Sequence, residues 1–221
     1  MNEVEYDIAA ANLRSKVYGL LAQGFRDPDE LLVESLETGY VSGLRSLVEH
    51  MEGGESFLPL FTKLDGIIGQ LDYDKLKEQY GALFLAAGGL SASPYEAEYT
   101  KETPQHSFSS QAQLADIAGF YLSFGLDVSQ RTPERVDHIA TELEYMQIMS
   151  MKEALALKDN HEENATVTID AQRKFITDHL GRWTGKLAER ISQCGISEFY
   201  ETLAEILDVW MGFDKAYLNA A

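Results

Sequence analysis

An aspartate beside a histidine, Asp137-His138, is the pair in this chain best suited to hydrogen bonding, proton transfer or metal ligation. It lies within Thr132-Pro133-Glu134-Arg135-Val136-Asp137-His138, and Glu142 follows four residues after the histidine. Residues at i and i+4 share a helix face. Three readings therefore stand side by side: a hydrogen-bonded pair that ties a helix start to a neighbouring loop, a contact for a ligand or peptide, or a metal held through His138 and Glu142. A second constellation is Tyr80-Gly81-Ala82-Leu83-Phe84, followed by Pro94-Tyr95-Glu96-Ala97-Glu98-Tyr99. Aromatics beside a glycine-rich stretch suit the lining of an apolar groove, while Leu83 and Phe84 suit an ordinary core equally well. In a third, Phe175, Ile176, His179, Leu180, Trp183 and Leu187 make an apolar stripe at helical spacing. On such a stripe His179 reads as a satisfied core histidine and not as a ligand.

Other chemistry is missing. The chain has no G-x-x-x-x-G-K-[ST] phosphate cradle, no G-x-G-x-x-G after a strand, no H-E-x-x-H and no E-x-x-H of the di-iron bundles. The five histidines, His50, His106, His138, His161 and His179, are too scattered for a local metal motif, and Cys194 stands alone. A binding protein without cofactor or metal fits this inventory better than an enzyme.

The elements that carry these residues read as helices almost throughout. Apolar periodicity predicts helices over 3–24, 28–38, 40–51, 56–70, 73–86, 107–125, 132–159, 168–194 and 197–218. Asp27 is the expected cap before 28–38, and Thr132 with Pro133 the expected opening of 132–159. In that helix Val136, Ile139, Ala140, Leu143 and Met146 form a core stripe. His138, Glu142, Tyr145 and Met149 lie on the other side, and Tyr145 to Met151 is apolar nearly all round, which predicts a central, buried helix. Residues 87–105 have no sustained period, hold Pro94 and Pro104, and make a long loop expected to lie against the start of 132–159. The expectation is one all-α domain over residues 1–221, with nine or ten helices.

Composition narrows the partners. The 221 residues are 45% hydrophobic, enough for a sizeable core, and carry a net charge of −18. Such a surface repels phosphate backbones and anionic lipid, which excludes nucleic acid and stable membrane insertion, and it favours a basic partner. The acidic N-terminus lacks the pattern of a signal peptide, so a cytoplasmic location is expected.

Five short motifs, in order, resemble the family of TorD/DmsD/NarJ-like chaperones dedicated to redox enzymes exported by the twin-arginine pathway. Its Y-x-x-L-F is matched by Tyr80, Leu83 and Phe84, and its P-[YW]-E/G by Pro94, Tyr95 and Glu96. Its E-P-x-D-H is matched by Glu134, Asp137 and His138, with Arg135 where the family usually has proline. Its H-L-x-x-W is matched by His179, Leu180 and Trp183, and its F-Y-x-x-L-A by Phe199, Tyr200, Leu203 and Ala204. The subset serving dimethyl sulfoxide reductase-class molybdoenzymes is the most similar.

The resemblance implies a monomeric or dimeric chaperone that binds the twin-arginine leader and apoprotein of a molybdopterin-containing subunit until the cofactor is inserted. It implies a leader site among Tyr80, Leu83, Phe84, Pro94, Tyr95, Glu96, Asp137, His138 and Glu142, with His179 and Trp183 structural. Glu96, Glu98, Asp137 and Glu142 are the candidate partners for the leader's arginines. The alternatives are a non-catalytic helical subunit of a redox complex or a nucleotide-binding regulatory protein.

Overall fold

A computed structural model of the chain describes residues 3–49, 53–85, 91–100, 110–128 and 134–220. Among these are ten α-helices: α1 (Glu3–Gly24), α2 (Glu30–Thr38), α3 (Tyr40–Val48), α4 (Leu58–Ile68), α5 (Tyr73–Tyr80), α6 (Ser110–Ser123), α7 (Ile139–Lys158), α8 (Glu162–Asp178), α9 (Thr184–Cys194) and α10 (Glu198–Ala220). The all-α class expected from the periodicity is the class observed. The one β-like pairing among the described residues is an isolated antiparallel bridge between Tyr95 and His138.

Helix α7 is the spine. Its first turns bury Ile139, Ala140, Leu143, Met146 and Met149 together with Glu142 and Tyr145, so it is enclosed on nearly every side. α1 lies along it, α8 packs beside it, and α10 closes the bundle against α4, α8, α9 and α1. Along α1 the buried positions Ala11, Arg14, Tyr18, Leu21 and Phe25 recur at three- and four-residue steps. Each fully buried leucine or phenylalanine contributes roughly 1.5–3 kcal/mol relative to exposure. One continuous core runs from Val17 to Leu218.

Several boundaries differ from the sequence-based expectation. α7 starts at Ile139, not at 132, because the His138 side chain is its cap: Nδ1 accepts from the Ala140 N–H at 3.1 Å. Thr132 and Pro133 lie outside the described residues. The cap of α2 is Asp29, which accepts from the Leu32 N–H at 2.9 Å, and not Asp27. The predicted helix 168–194 is two helices, the first beginning at Glu162, with a short 3₁₀ turn at Leu180–Arg182 between them. A Cβ on Gly181 would meet the Ile176 carbonyl oxygen at 2.7 Å, so the chain can fold back there only with glycine. The predicted helix 73–86 ends at Tyr80 and continues as a π-helical turn, Gly81–Leu85. Of the long loop, 91–100 is described and 87–90 and 101–105 lie outside the described residues. Among the described residues no helix is long and apolar enough to cross a membrane.

Candidate functional site

The loop is fastened to the start of α7 by backbone and side chain together. The Glu96 N–H donates to the Asp137 carbonyl at 3.0 Å, and the Ile139 N–H donates to the Pro94 carbonyl at 2.9 Å. Asp137 Oδ2 accepts from the Ala97 N–H at 3.2 Å. The rings of Tyr95 and His138 meet edge to face with centroids 5.4 Å apart. The chain comes off the π-helical turn with the Ala92 N–H donating to the Leu83 carbonyl at 2.9 Å. α9 holds the loop's other side: Lys186 Nζ donates to the Tyr99 carbonyl at 3.0 Å, and Arg190 Nε to the Ser91 carbonyl at 2.6 Å.

Beneath the loop lies a buried polar cluster. Glu96 and Glu142 are both fully buried. Trp183 Nε1 donates to Glu142 Oε2 at 3.1 Å, and Gln113 Nε2 donates to Glu96 Oε1 at 2.7 Å. Both ring nitrogens of His179 face carboxylates, Nδ1 on Glu96 at 3.2 Å and Nε2 on Asp116 at 3.0 Å. Burial, and then the charge of Glu96, push the Glu142 carboxyl well above its usual range. As a carboxylate, its Oε1 would face no donor. Burial there favours the protonated carboxyl.

Beside the loop opens a pocket of about 410 Å³. Tyr80, Tyr121, Tyr145 and His138 line it with Leu126, Val128 and Ile148, and Asp27, Asp29, Asp127, Glu134 and Glu144 supply five carboxylates. Among the described residues its one cation, Arg26, pairs with Glu144. Among the described residues the buried Tyr145 hydroxyl has no hydrogen-bond partner, and burial raises its pKa. Burial also lowers His138 to about 4: Glu134 opposes the shift, while Arg26 and Arg135 add to it. His138 is therefore neutral at physiological pH, as its role as a helix cap requires.

The structure thus divides the residues singled out from the sequence. Tyr80 and His138 line the pocket, and Tyr95 reaches its rim through Glu134, to which its hydroxyl donates at 3.3 Å. Leu83 and Phe84 are core residues that do not line the pocket, and the Phe84 ring packs on Tyr200 at 5.3 Å. Pro94 fastens the loop. Glu96 and Glu142, considered as arginine partners, are sealed inside the cluster, where Glu142 accepts from Trp183, and Glu96 accepts from Gln113 and faces His179. Asp137 is buried and holds Arg135; Glu98 is exposed but lies outside the pocket. Sequence reasoning missed Asp29, Asp127, Glu144, Tyr121 and the pocket role of Asp27. Asp27 was legible only as a cap residue, and of the others Tyr121 and Asp127 come from the end of α6 and the turn after it, and Glu144 from the second turn of α7. Among the described residues no three His, Cys, Asp or Glu side chains are grouped to hold a metal ion.

Comparison with known proteins agrees with this architecture. The sequence model of the family described as nitrate reductase delta subunit matches residues 44–189. The chaperone protein TorD of Shewanella loihica is 28% identical, with all of both chains covered. The perchlorate reductase assembly chaperone protein of Dechloromonas aromatica is 28% identical across 88% of this chain and 85% of that one. A crystal structure from Archaeoglobus fulgidus, described as a candidate redox enzyme maturation protein, superposes with a TM-score of 0.51 at 21% identity. It covers 90% of this chain and 93% of that one, and it supports the fold.

Proposed function

The chain belongs to the nitrate reductase delta subunit family of redox-enzyme maturation chaperones, and from that premise we propose that it is a system-specific chaperone for a molybdopterin-containing oxidoreductase subunit. It binds the twin-arginine leader and holds the apoprotein in the cytoplasm until the cofactor is inserted. It is a binding protein and not a catalyst.

The observation that carries the leader site is the pocket beside the loop, with an aromatic floor and five carboxylates around it. A twin-arginine leader joins a guanidinium pair to an apolar segment. Tyrosine rings receive apolar and cationic groups alike, and carboxylates match the arginine fork. The same rim repels the phosphates of a nucleotide, which weighs against the nucleotide-binding alternative.

The test is calorimetric titration with a synthetic peptide of an arginine pair followed by an apolar segment. Wild type is expected to bind it, more weakly as salt rises, because the Debye length shrinks to about 8 Å at physiological strength. The double variant Asp27→Asn, Glu134→Gln is expected to bind less tightly and to lose much of the salt dependence. Equal affinity in wild type and a folded double variant would move the peptide site elsewhere.

A further inference from the structure

The buried carboxylate of Asp137 carries a guanidinium of the protein's own. Arg135 Nε donates to Oδ1 at 3.0 Å and Nη2 to Oδ2 at 2.8 Å, the parallel two-bond fork that distinguishes arginine from lysine. The same guanidinium lies over the Tyr95 ring, 4.2 Å from its centroid. Asp137 is 0% exposed, whereas the Arg135 side chain is 45% exposed, so the arginine is a lid that water reaches over an acid that it does not. Arg135 stands four residues before α7 in a stretch that belongs to no helix, and leaving its place breaks no helical hydrogen bond. If it left, Asp137 would keep the Ala97 N–H on Oδ2 but would have no side-chain donor left.

Next to this fork, Glu134 and His138 pass into the pocket, whose wall holds Tyr145, a 2% exposed residue whose hydroxyl has no hydrogen-bond partner among the described residues. A second arginine of the chain, Arg26, is paired with a pocket carboxylate, Glu144. Its side chain is 60% exposed. Two guanidinium groups of the free protein thus stand on carboxylates near one histidine, His138.

We propose that Asp137 and Tyr95 form a guanidinium seat that Arg135 occupies in the free protein, and that an arginine of the incoming peptide takes it by displacing Arg135. The proposal rests on the reading that a basic peptide enters the pocket. A self-occupied seat lowers apparent affinity by the fraction of time that it is vacant.

The experiment compares wild type with Arg135→Ala and Arg135→Gln, the second keeping a planar donor for Asp137 should the alanine variant not fold. Each is titrated with the arginine-pair peptide and with its lysine-pair counterpart, alongside thermal melts. Removing the resident guanidinium is expected to tighten the arginine peptide about three- to tenfold and the lysine peptide less, while the melts fall because the buried Asp137 loses its cation. Equal or weaker binding of the arginine peptide by a folded variant overturns the seat and leaves Arg135 as a clasp for the loop. Methylguanidinium separates this proposal from the reading beneath it. If the seat exists, methylguanidinium shifts the Tyr95 ring signals of Arg135→Ala or Arg135→Gln at concentrations that leave wild type unchanged, even when no peptide binds any form. No such shift overturns the seat, whatever the peptide does.

Discussion

Two buried polar clusters, one at the first turn of α7 and one about three turns further along it, obey different rules. In the first, Arg14 sits at a core position of α1, fully buried. It donates to Asp214, to Glu153 at 2.8 Å and to Gln172 at 2.6 Å, while Tyr18 donates to Asp214 at 2.6 Å and Gln172 to Glu153 at 2.7 Å. Burial works against the arginine's charge, but Asp214 and Glu153 outweigh it and hold the group firmly cationic. Every arm of that guanidinium is used, and the cluster joins α1, α7, α8 and α10. In the second, around Glu96, Glu142 and His179, burial favours the protonated form of Glu142, and among the described residues neither its Oε1 nor the Tyr145 hydroxyl of the adjoining pocket has a hydrogen-bond partner. A closed network fixes a structure, whereas one left open at its edge can still accept something. The fold's rigidity and its capacity to bind are therefore lodged in separate groups of residues.

The largest expected effect would confirm the first half of that comparison. Arg14→Met leaves Asp214 and Glu153 buried without their cation and should cost about 3–5 kcal/mol in urea denaturation. Peptide affinity per folded molecule should be unchanged. If affinity fell with stability intact, the division of labour would be wrong.

Next comes pH. His138 is depressed to about 4 from an ordinary 6.5, so the unfolded chain takes up a proton first as pH falls. Stability should then drop by about 3 kcal/mol between those values, and His138→Asn, which can still cap α7, should remove that slope. Glu142 runs the other way. Its folded pKa is raised above 4.5, so its contribution is complete below the unfolded value and is lost as pH rises through the folded one. Glu142→Gln, whose amide can accept from Trp183 and donate to Glu96, should match wild type in acid and gain on it as pH rises. Denaturation series across pH read both slopes.

Tyr145→Phe sharpens the comparison further. Losing an unpaired buried hydroxyl should leave the free protein as stable or about 1 kcal/mol more stable, yet weaken the peptide in calorimetry. Smallest of all is Arg45→Ala at the exposed Arg45–Asp65 pair, where the melt should move by no more than about 0.5 kcal/mol of stability.

How much of this was legible in the sequence depended on how local each signal was. The run Tyr145 to Met151 announced a buried helix because its apolar residues face every direction within two turns. The start of that helix was misplaced because Thr132-Pro133 has the composition of a helix opening, whereas a histidine cap leaves no such mark. The stripe from Phe175 to Leu187 keeps helical spacing straight through the break at 179–183, and Gly181 was the sole hint of it. The Tyr80, Tyr95 and His138 neighbourhood was foreseeable from motif order. The Arg14 cluster was not, since its partners stand 139 to 200 positions away and a lone arginine in α1 resembles any solvated charge.

That distance has a consequence for how the chain comes into being. The face of α1 that carries Arg14, Val17, Tyr18 and Leu21 has its main neighbour in α7, and its carboxylate anchor Asp214 in the final helix. During synthesis, at about 5–20 residues per second, α1 waits with its apolar stripe uncovered for more than a hundred residues, and its buried cation waits for nearly the whole chain. A nascent chain stopped before α10 would hold an arginine at a core position with one of its two anions missing. A protein whose work is to shelter unfinished polypeptides is, until its own last helix emerges, an unfinished polypeptide of the same kind.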